Sequence, residues 1–150
     1  MPNQADSASV QLGSLGIRFI VDALDSNDTH TVIEVTVPPG SQMPVPHSHD
    51  AFEETFLGMH GIVSVTIDGR EYSLGRGDAV CVKRGQVHGF RNDTEDTVRF
   101  VGIAAPGIFG RPYFEEVAAA FASFGDGPPD RAMLGQIMHR HGLTPAPPTG

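Results

Sequence analysis

The chain has 150 residues, of which 39% are hydrophobic and 19% charged, with a formal net charge of -8. That length carries one domain with one core, and the acidic balance opposes binding to a phosphate backbone, so nucleic acid is not an expected partner. Cys81 is the single cysteine, which leaves no intrachain disulfide and suits a reducing compartment; with no basic and apolar leader in the first residues and no apolar run of ~20 residues, the chain is expected to be cytoplasmic and free of the membrane.

Eighteen glycines and twelve prolines supply many turns and predict an all-β fold in preference to a helical bundle. Residues 1–12 are polar and aperiodic and read as a flexible tail. Gly16–Val21 and Thr31–Val37 are rich in β-branched residues and parted by Asp25-Ser26-Asn27-Asp28, which predicts two strands joined by a turn. Pro38-Pro39-Gly40 interrupts the pairing, and Pro44 and Pro46 hold the segment from Met43 to His49 extended. The next strand runs from Phe52 to Met59 and places Glu54, Phe56 and Gly58 on one face, with Glu53 on the other. Ile62–Ile67, the two-residue turn Asp68-Gly69 and Arg70–Leu74 predict a hairpin. Ala79–Val82, Val87–Asn92 and Val98–Ala104 complete the strands.

Beyond Pro106 the period changes. Tyr113, Phe114, Val117, Ala118 and Phe121 recur at helical spacing, and Asp130 is placed to cap a second helix that runs through Arg140 and ends at Gly142. Helices this short must lay their apolar faces on the barrel or on a partner; the Phe114, Val117, Phe121 stripe serves as core, dimer contact or lid. The expected organisation is a barrel over 13–105, helices over 106–143 and a tail over 144–150.

The chemistry concentrates in Pro46-His47-Ser48-His49-Asp50-Ala51-Phe52-Glu53-Glu54, answered by His88. Side chains two apart on a strand project to one side, so His47 and His49 form a ready imidazole pair. Glu54 returns to the same interior on the following strand, and His88 arrives on another. Three neutral imidazoles and one carboxylate make a ligand set for a divalent first-row metal, with coordination positions left open. The competing reading is a set of hydrogen-bonded polar residues in a loop-rich fold. His139 and His141 carry the same spacing on a helix, where about 200° of rotation separates them, so they are read as solvated groups near a helix C-terminus. Phe56 and Phe90 lie two residues past proposed ligands and either pack the interior or line a pocket. Met43, Val45, Gly58 and Phe100 join that inward set, and the missing side chain of Gly58 is expected to leave room near the metal. Asn92 is read as a turn-fixing amide and not as a ligand.

With these residues in view the sequence resembles the cupin superfamily. Its first motif pairs a glycine with H-x-H, a glutamate and a later glycine, and reads here Gly40, His47, His49, Glu54, Gly61. The second reads Gly77, Lys83, Gly85, His88, Asn92, with Lys83 where the family carries proline. The resemblance covers about Gly13 to Ala105 and implies a double-stranded β-helix, or jelly-roll, barrel with a metal inside. The two C-terminal helices resemble the tails of quercetin dioxygenase-like bacterial cupins.

The three-His, one-Glu set resembles that of metal-dependent dioxygenase cupins, in which the glutamate also takes a proton from an enol or phenol. The implied function is an oxidoreductase of dioxygenase type acting on a small hydroxylated aromatic or enolisable substrate, with Glu54 as ligand and base. Fe(II), Mn(II), Ni(II), Co(II) and Zn(II) all suit the donor types. One alternative keeps the metal as a Lewis acid for isomerisation, cyclisation or elimination with Glu54 as base. Another is a small-molecule-binding cupin without catalysis. Exposed sheet edges favour a homodimer.

Overall fold

A computed structural model describes residues 8–148. Among the described residues, eleven strands form two antiparallel sheets that pack face to face, and two helices follow the tenth strand. In chain order the strands are β1 (Ser9–Leu12), β2 (Leu15–Val21), β3 (Thr31–Val37), β4 (His47–His49), β5 (Glu53–His60), β6 (Val63–Ile67), β7 (Arg70–Leu74), β8 (Ala79–Val82), β9 (His88–Arg91), β10 (Val98–Ala105) and β11 (Leu143–Pro145). The helices are α1 (Arg111–Phe124) and α2 (Arg131–Arg140). One sheet has the order β1-β2-β3-β10-β5-β8 and the other β11-β4-β9-β6-β7. The result is a jelly roll: the two sheets keep separate edges and are not hydrogen-bonded into a closed cylinder.

Strict alternation builds the core. Along β3 the residues Thr31, Ile33, Val35 and Val37 are buried in turn, and Val63, Val65 and Ile67 do the same on β6, so each strand presents one apolar face to the opposite sheet. Phe56 and Phe100 fill the space between the sheets, with ring centroids 5.2 Å apart. The β6–β7 hairpin turns on Asp68 and Gly69, both with positive φ, the backbone that a two-residue turn of the correct twist requires. Asn92 is buried and its amide is fully used: Nδ2 donates to the Val37 and Asp96 carbonyls, and Oδ1 accepts from the Thr94 backbone and hydroxyl. It closes the turn before β10.

Two of the tails read from the sequence are in part strands. Ser9–Leu12 pairs antiparallel with β2 through the Gly13-Ser14 turn, with Leu12 opposite Leu15; the segment has only two inward positions, too few for a periodic signal, and residues 1–7 lie outside the described residues. Leu143–Pro145 pairs with β4, setting Leu143 opposite His49, Thr144 opposite Ser48 and Pro145 opposite His47. Proline is tolerated there because β11 is an edge strand. The α2 helix is capped by Asp130, whose carboxylate accepts from the Met133 amide at 3.0 Å. His141, read as solvated, is instead partly buried; its Nε2 lies 2.7 Å from Glu116 Oε2 of α1, a bond that ties the two helices together. His139 is exposed.

Candidate metal centre

The three residues of β4 are all buried, because the strand lies between β11 and β9. Two-residue periodicity sends His47 and His49 inward together, and the pairing of His47 with His88 brings the third imidazole alongside. Ring centroids are 5.2 Å apart for His47 and His49, 4.8 Å for His47 and His88, and 4.5 Å for His49 and His88. Their ligand-capable atoms all lie within 4.8 Å of one another.

The tautomers are set by the surroundings. His47 Nδ1 lies 2.9 Å from the Val45 carbonyl and His88 Nδ1 lies 3.2 Å from the Gln86 carbonyl. A carbonyl only accepts, so both Nδ1 atoms carry the proton and each Nε2 offers a lone pair, the arrangement that orients ligating histidines. His49 Nδ1, His49 Nε2 and His88 Nε2 are sealed from solvent without a hydrogen-bond partner. Orphaned buried polar atoms cost about 1–3 kcal/mol each, and a cation among them would recover part of that cost. Burial lowers the His47 pKa to about 3, His49 to about 2 and His88 to about 4, with the neighbouring imidazoles adding to the shift at His47 and His49. All three are therefore neutral at pH 7, as a ligand must be. The donor set fits a divalent first-row cation.

Glu54 flanks this triad. Its Oε2 lies 3.5 Å from His49 Nε2, and burial pushes its pKa up to about 8. Distance alone suggests an ion pair, but burial keeps His49 neutral and the carboxyl protonated, so without a cation this is a contact between two neutral groups. The carboxyl rests against β10 at Gly102, where a Cβ would stand 2.5 Å from Glu54 Oε1. Gly102 is the vacancy that seats the glutamate. The adjacent Glu53 turns outward and takes two bonds from the Arg84 guanidinium, which pulls its pKa down.

A cavity of about 60 Å³ opens beside His47 and Glu54. Its lining is apolar apart from His47, Glu54 and Tyr113, and it includes no Lys or Arg. Phe109, Tyr113 and Phe114 cover it from the start of α1, and Leu134 and Met138 of α2 also reach it.

The family model described as a cupin domain matches residues 33–104. Residues 33–104 thus carry a cupin domain. Quercetin 2,3-dioxygenase of Bacillus subtilis (strain 168) is 33% identical over 95 residues, which is 63% of this cupin and 28% of that protein. The cupin thus spans less than a third of the length of the curated relatives it matches. A crystal structure of a protein with a double-stranded β-helix domain from Klebsiella pneumoniae subsp. pneumoniae MGH 78578 is 25% identical, covering 67% of this chain and 84% of that one with a TM-score of 0.58. The polyketide cyclase RemF from Streptomyces resistomycificus shares the fold at 22% identity, covering 74% of this chain and 86% of that one with a TM-score of 0.61.

Of the pocket residues read from the sequence of this cupin, Met43, Val45, Phe56, Phe90 and Phe100 line the same cavity. Gly58 does not. It shares the inward parity of Glu54 and Phe56, but a Cβ on it would meet the Gly75 carbonyl oxygen at 2.1 Å, so the turn before β8 already occupies the room expected beside the metal. Sequence reasoning missed Phe109, Tyr113 and Gly102. The helical stripe after Pro106 is a signal for Tyr113, but only tertiary packing shows what that stripe covers; Phe109 lies before the helix and carries no periodic signal.

Proposed function

We propose that this cupin is a metal-dependent enzyme of dioxygenase type that acts on a small hydroxylated aromatic or enolisable compound, held by His47, His49 and His88 through a divalent cation with Glu54 beside it. The observation that carries the reading is the pairing of three neutral imidazoles, two of them with orphaned Nε2 atoms, with a protonated glutamate at the head of an apolar cavity. A bound Fe(II), Mn(II), Ni(II) or Co(II) would supply a Lewis acid and a one-electron route to dioxygen. The remaining work falls to the chain. Glu54, ionised once a cation stands near it, accepts the proton of a substrate hydroxyl. Phe56, Phe90 and Phe100 exclude water and offer flat apolar walls to an aromatic ring. With no Lys or Arg in the lining, a substrate carboxylate or phosphate finds no counter-charge there apart from the cation itself, which supports a substrate uncharged away from its metal-binding oxygen. The likeness to quercetin 2,3-dioxygenase supports the same class.

Oxygen consumption by protein reconstituted with each metal, against a panel of flavonols and catechols, tests the reading. Uptake with a redox metal is the expected result; none with any metal would sink it. The raised pKa of Glu54 also suits a second reading, in which a Zn(II)-loaded site supports isomerisation, cyclisation or elimination by proton abstraction next to a carbonyl. Turnover of an enolisable ketone under argon with Zn(II) would favour that class.

A further inference from the structure

Three polar side chains reach the cavity, and the third, Tyr113, has no role in holding a cation. It sits in the first turn of α1, whose start is fixed in place: the Thr31 hydroxyl donates to the Phe109 carbonyl at 2.5 Å, and the Arg111 amide donates to Asp22 Oδ1 at 3.2 Å. Gly110 permits that close approach, since a Cβ there would stand 2.6 Å from Asp22 Oδ1. A run of stacked and tilted rings connects Tyr113 to the triad: His49 on Phe52 at 4.2 Å, Phe52 on Phe109 at 5.0 Å, and Phe109 against Tyr113 at 5.2 Å. His141 closes on the other edge of the tyrosine ring at 5.6 Å. The ring is therefore held on several sides, and the residue is only 5% exposed.

A tyrosine this buried normally gives its hydroxyl a hydrogen-bond partner. Tyr113 has none among the described residues. Its oxygen is not among the sealed polar atoms of the interior, all of which belong to His49 and His88, and the residue lines the cavity together with Glu54. Burial and the nearby Glu54 carboxylate both raise its pKa, so the group remains a neutral O–H donor at any physiological pH. A preset donor without an acceptor, facing an otherwise apolar space, is what a site needs to fix the orientation of a ligand oxygen.

We propose that the Tyr113 hydroxyl is a second oxygen-recognition point, donating a hydrogen bond to a substrate oxygen other than the one served by Glu54. The substrate is then a flat apolar compound carrying two oxygens, one at each end of the Glu54–Tyr113 span. This rests on the proposed reading of the site as a metal-dependent pocket for hydroxylated compounds. Tyr113 would contribute to orientation and selectivity, not to metal retention.

The test uses the full chain loaded with Zn(II) and two probes, catechol with two hydroxyls and phenol with one. Tyr113→Phe retains the ring and removes one O–H. It should lower catechol affinity roughly three- to tenfold, the worth of one neutral hydrogen bond, change phenol affinity less than twofold, and leave the Zn(II) content unchanged. An independent readout needs no variant at position 113. The chain has only two tyrosines, so protein labelled with 13C at the tyrosine Cζ gives two resonances, assigned with Tyr72→Phe. Catechol should move the Tyr113 line and leave the Tyr72 line in place. Equal catechol affinity in wild type and Tyr113→Phe, or a stationary Tyr113 line at saturation, overturns the role of Tyr113 while leaving the metal pocket intact. Failure of both probes to bind the wild-type Zn(II) protein overturns the hydroxylated-substrate reading, and this inference with it.

Discussion

Replacing Glu54 with Gln in the metal-free protein should flatten its stability at alkaline pH. Glu54 carries a folded-state pKa of about 8 against an ordinary 4.5. A raised pKa means that the unfolded chain releases its proton first, so the stability linked to Glu54 is complete below 4.5 and is lost as pH rises through about 8. At about 1.4 kcal/mol per unit, that window corresponds to about 5 kcal/mol, with about 2 kcal/mol of it falling between pH 6.5 and 8. The three histidines work at the opposite end. Their lowered folded pKa values (about 3, 2 and 4) leave their stability contribution complete above 6.5 and remove it as pH falls. The upper half of the Glu54 window is thus free of their titration. Glutamine is nearly isosteric, and whatever it costs in unmet hydrogen bonds is the same at every pH, so only the slope changes. Urea unfolding in the presence of chelator at pH 6.5 and 9 should show wild type losing about 2 kcal/mol more than Glu54→Gln. Equal losses would refute the idea that this carboxyl is held neutral by burial. Saturating Zn(II) should erase the wild-type loss, because a cation beside the carboxyl stabilises its ionised form.

Further expectations follow from the same geometry. His88→Ala removes one of three converging imidazoles and should lower Zn(II) affinity by more than the roughly 10- to 100-fold that loss of an outer supporting contact costs, read as metal per chain by elemental analysis after dialysis; full occupancy would disprove the triad. Gly102→Ala places a methyl group 2.5 Å from Glu54 Oε1 and 3.3 Å from Ile33 Cγ1 and should cost about 1–3 kcal/mol. In a Glu54→Ala background most of that cost should vanish, and an unchanged penalty in the double-mutant cycle would show that Gly102 does not seat the glutamate. Among the described residues the sheets end in the edge strands β1, β8, β11 and β7, which favour association, so light scattering should give twice the 16.0 kDa of the chain; a monomer mass at micromolar concentration counts against it.

The imidazole triad was legible because strand periodicity is short-range: H-x-H in an extended, proline-bounded segment leaves one option for the two rings, and parity along β5 likewise sends Glu54 inward and Glu53 outward. The Asp68-Gly69 turn and the Asp130 cap were equally local. What the sequence hid depends on contacts between distant segments. Gly58 has the inward parity of Phe56, yet parity does not reveal that the Gly75 backbone fills the place of its side chain. Gly102 falls inside the predicted strand Val98–Ala104, and nothing local reveals that the Glu54 carboxyl lies against it. The stripe of α1 announced a helix with one apolar face, but not that Tyr113 in its first turn and Phe109 just before it would close the cavity. Leu143–Pro145 lies in a proline-rich stretch whose composition argues against a strand, and its pairing with β4 follows from where the two helices deliver the chain.

That last pairing bears on how the protein is made. His47 and His49 leave the ribosome before β9 and well before β11, yet their strand is held between those two late arrivals. Until β9 and β11 are in place, neither imidazole has all the neighbours that fix its direction. Any ion selection by this site is therefore a task for the assembled sheet: a chain that has emerged only through β4 carries loose histidines.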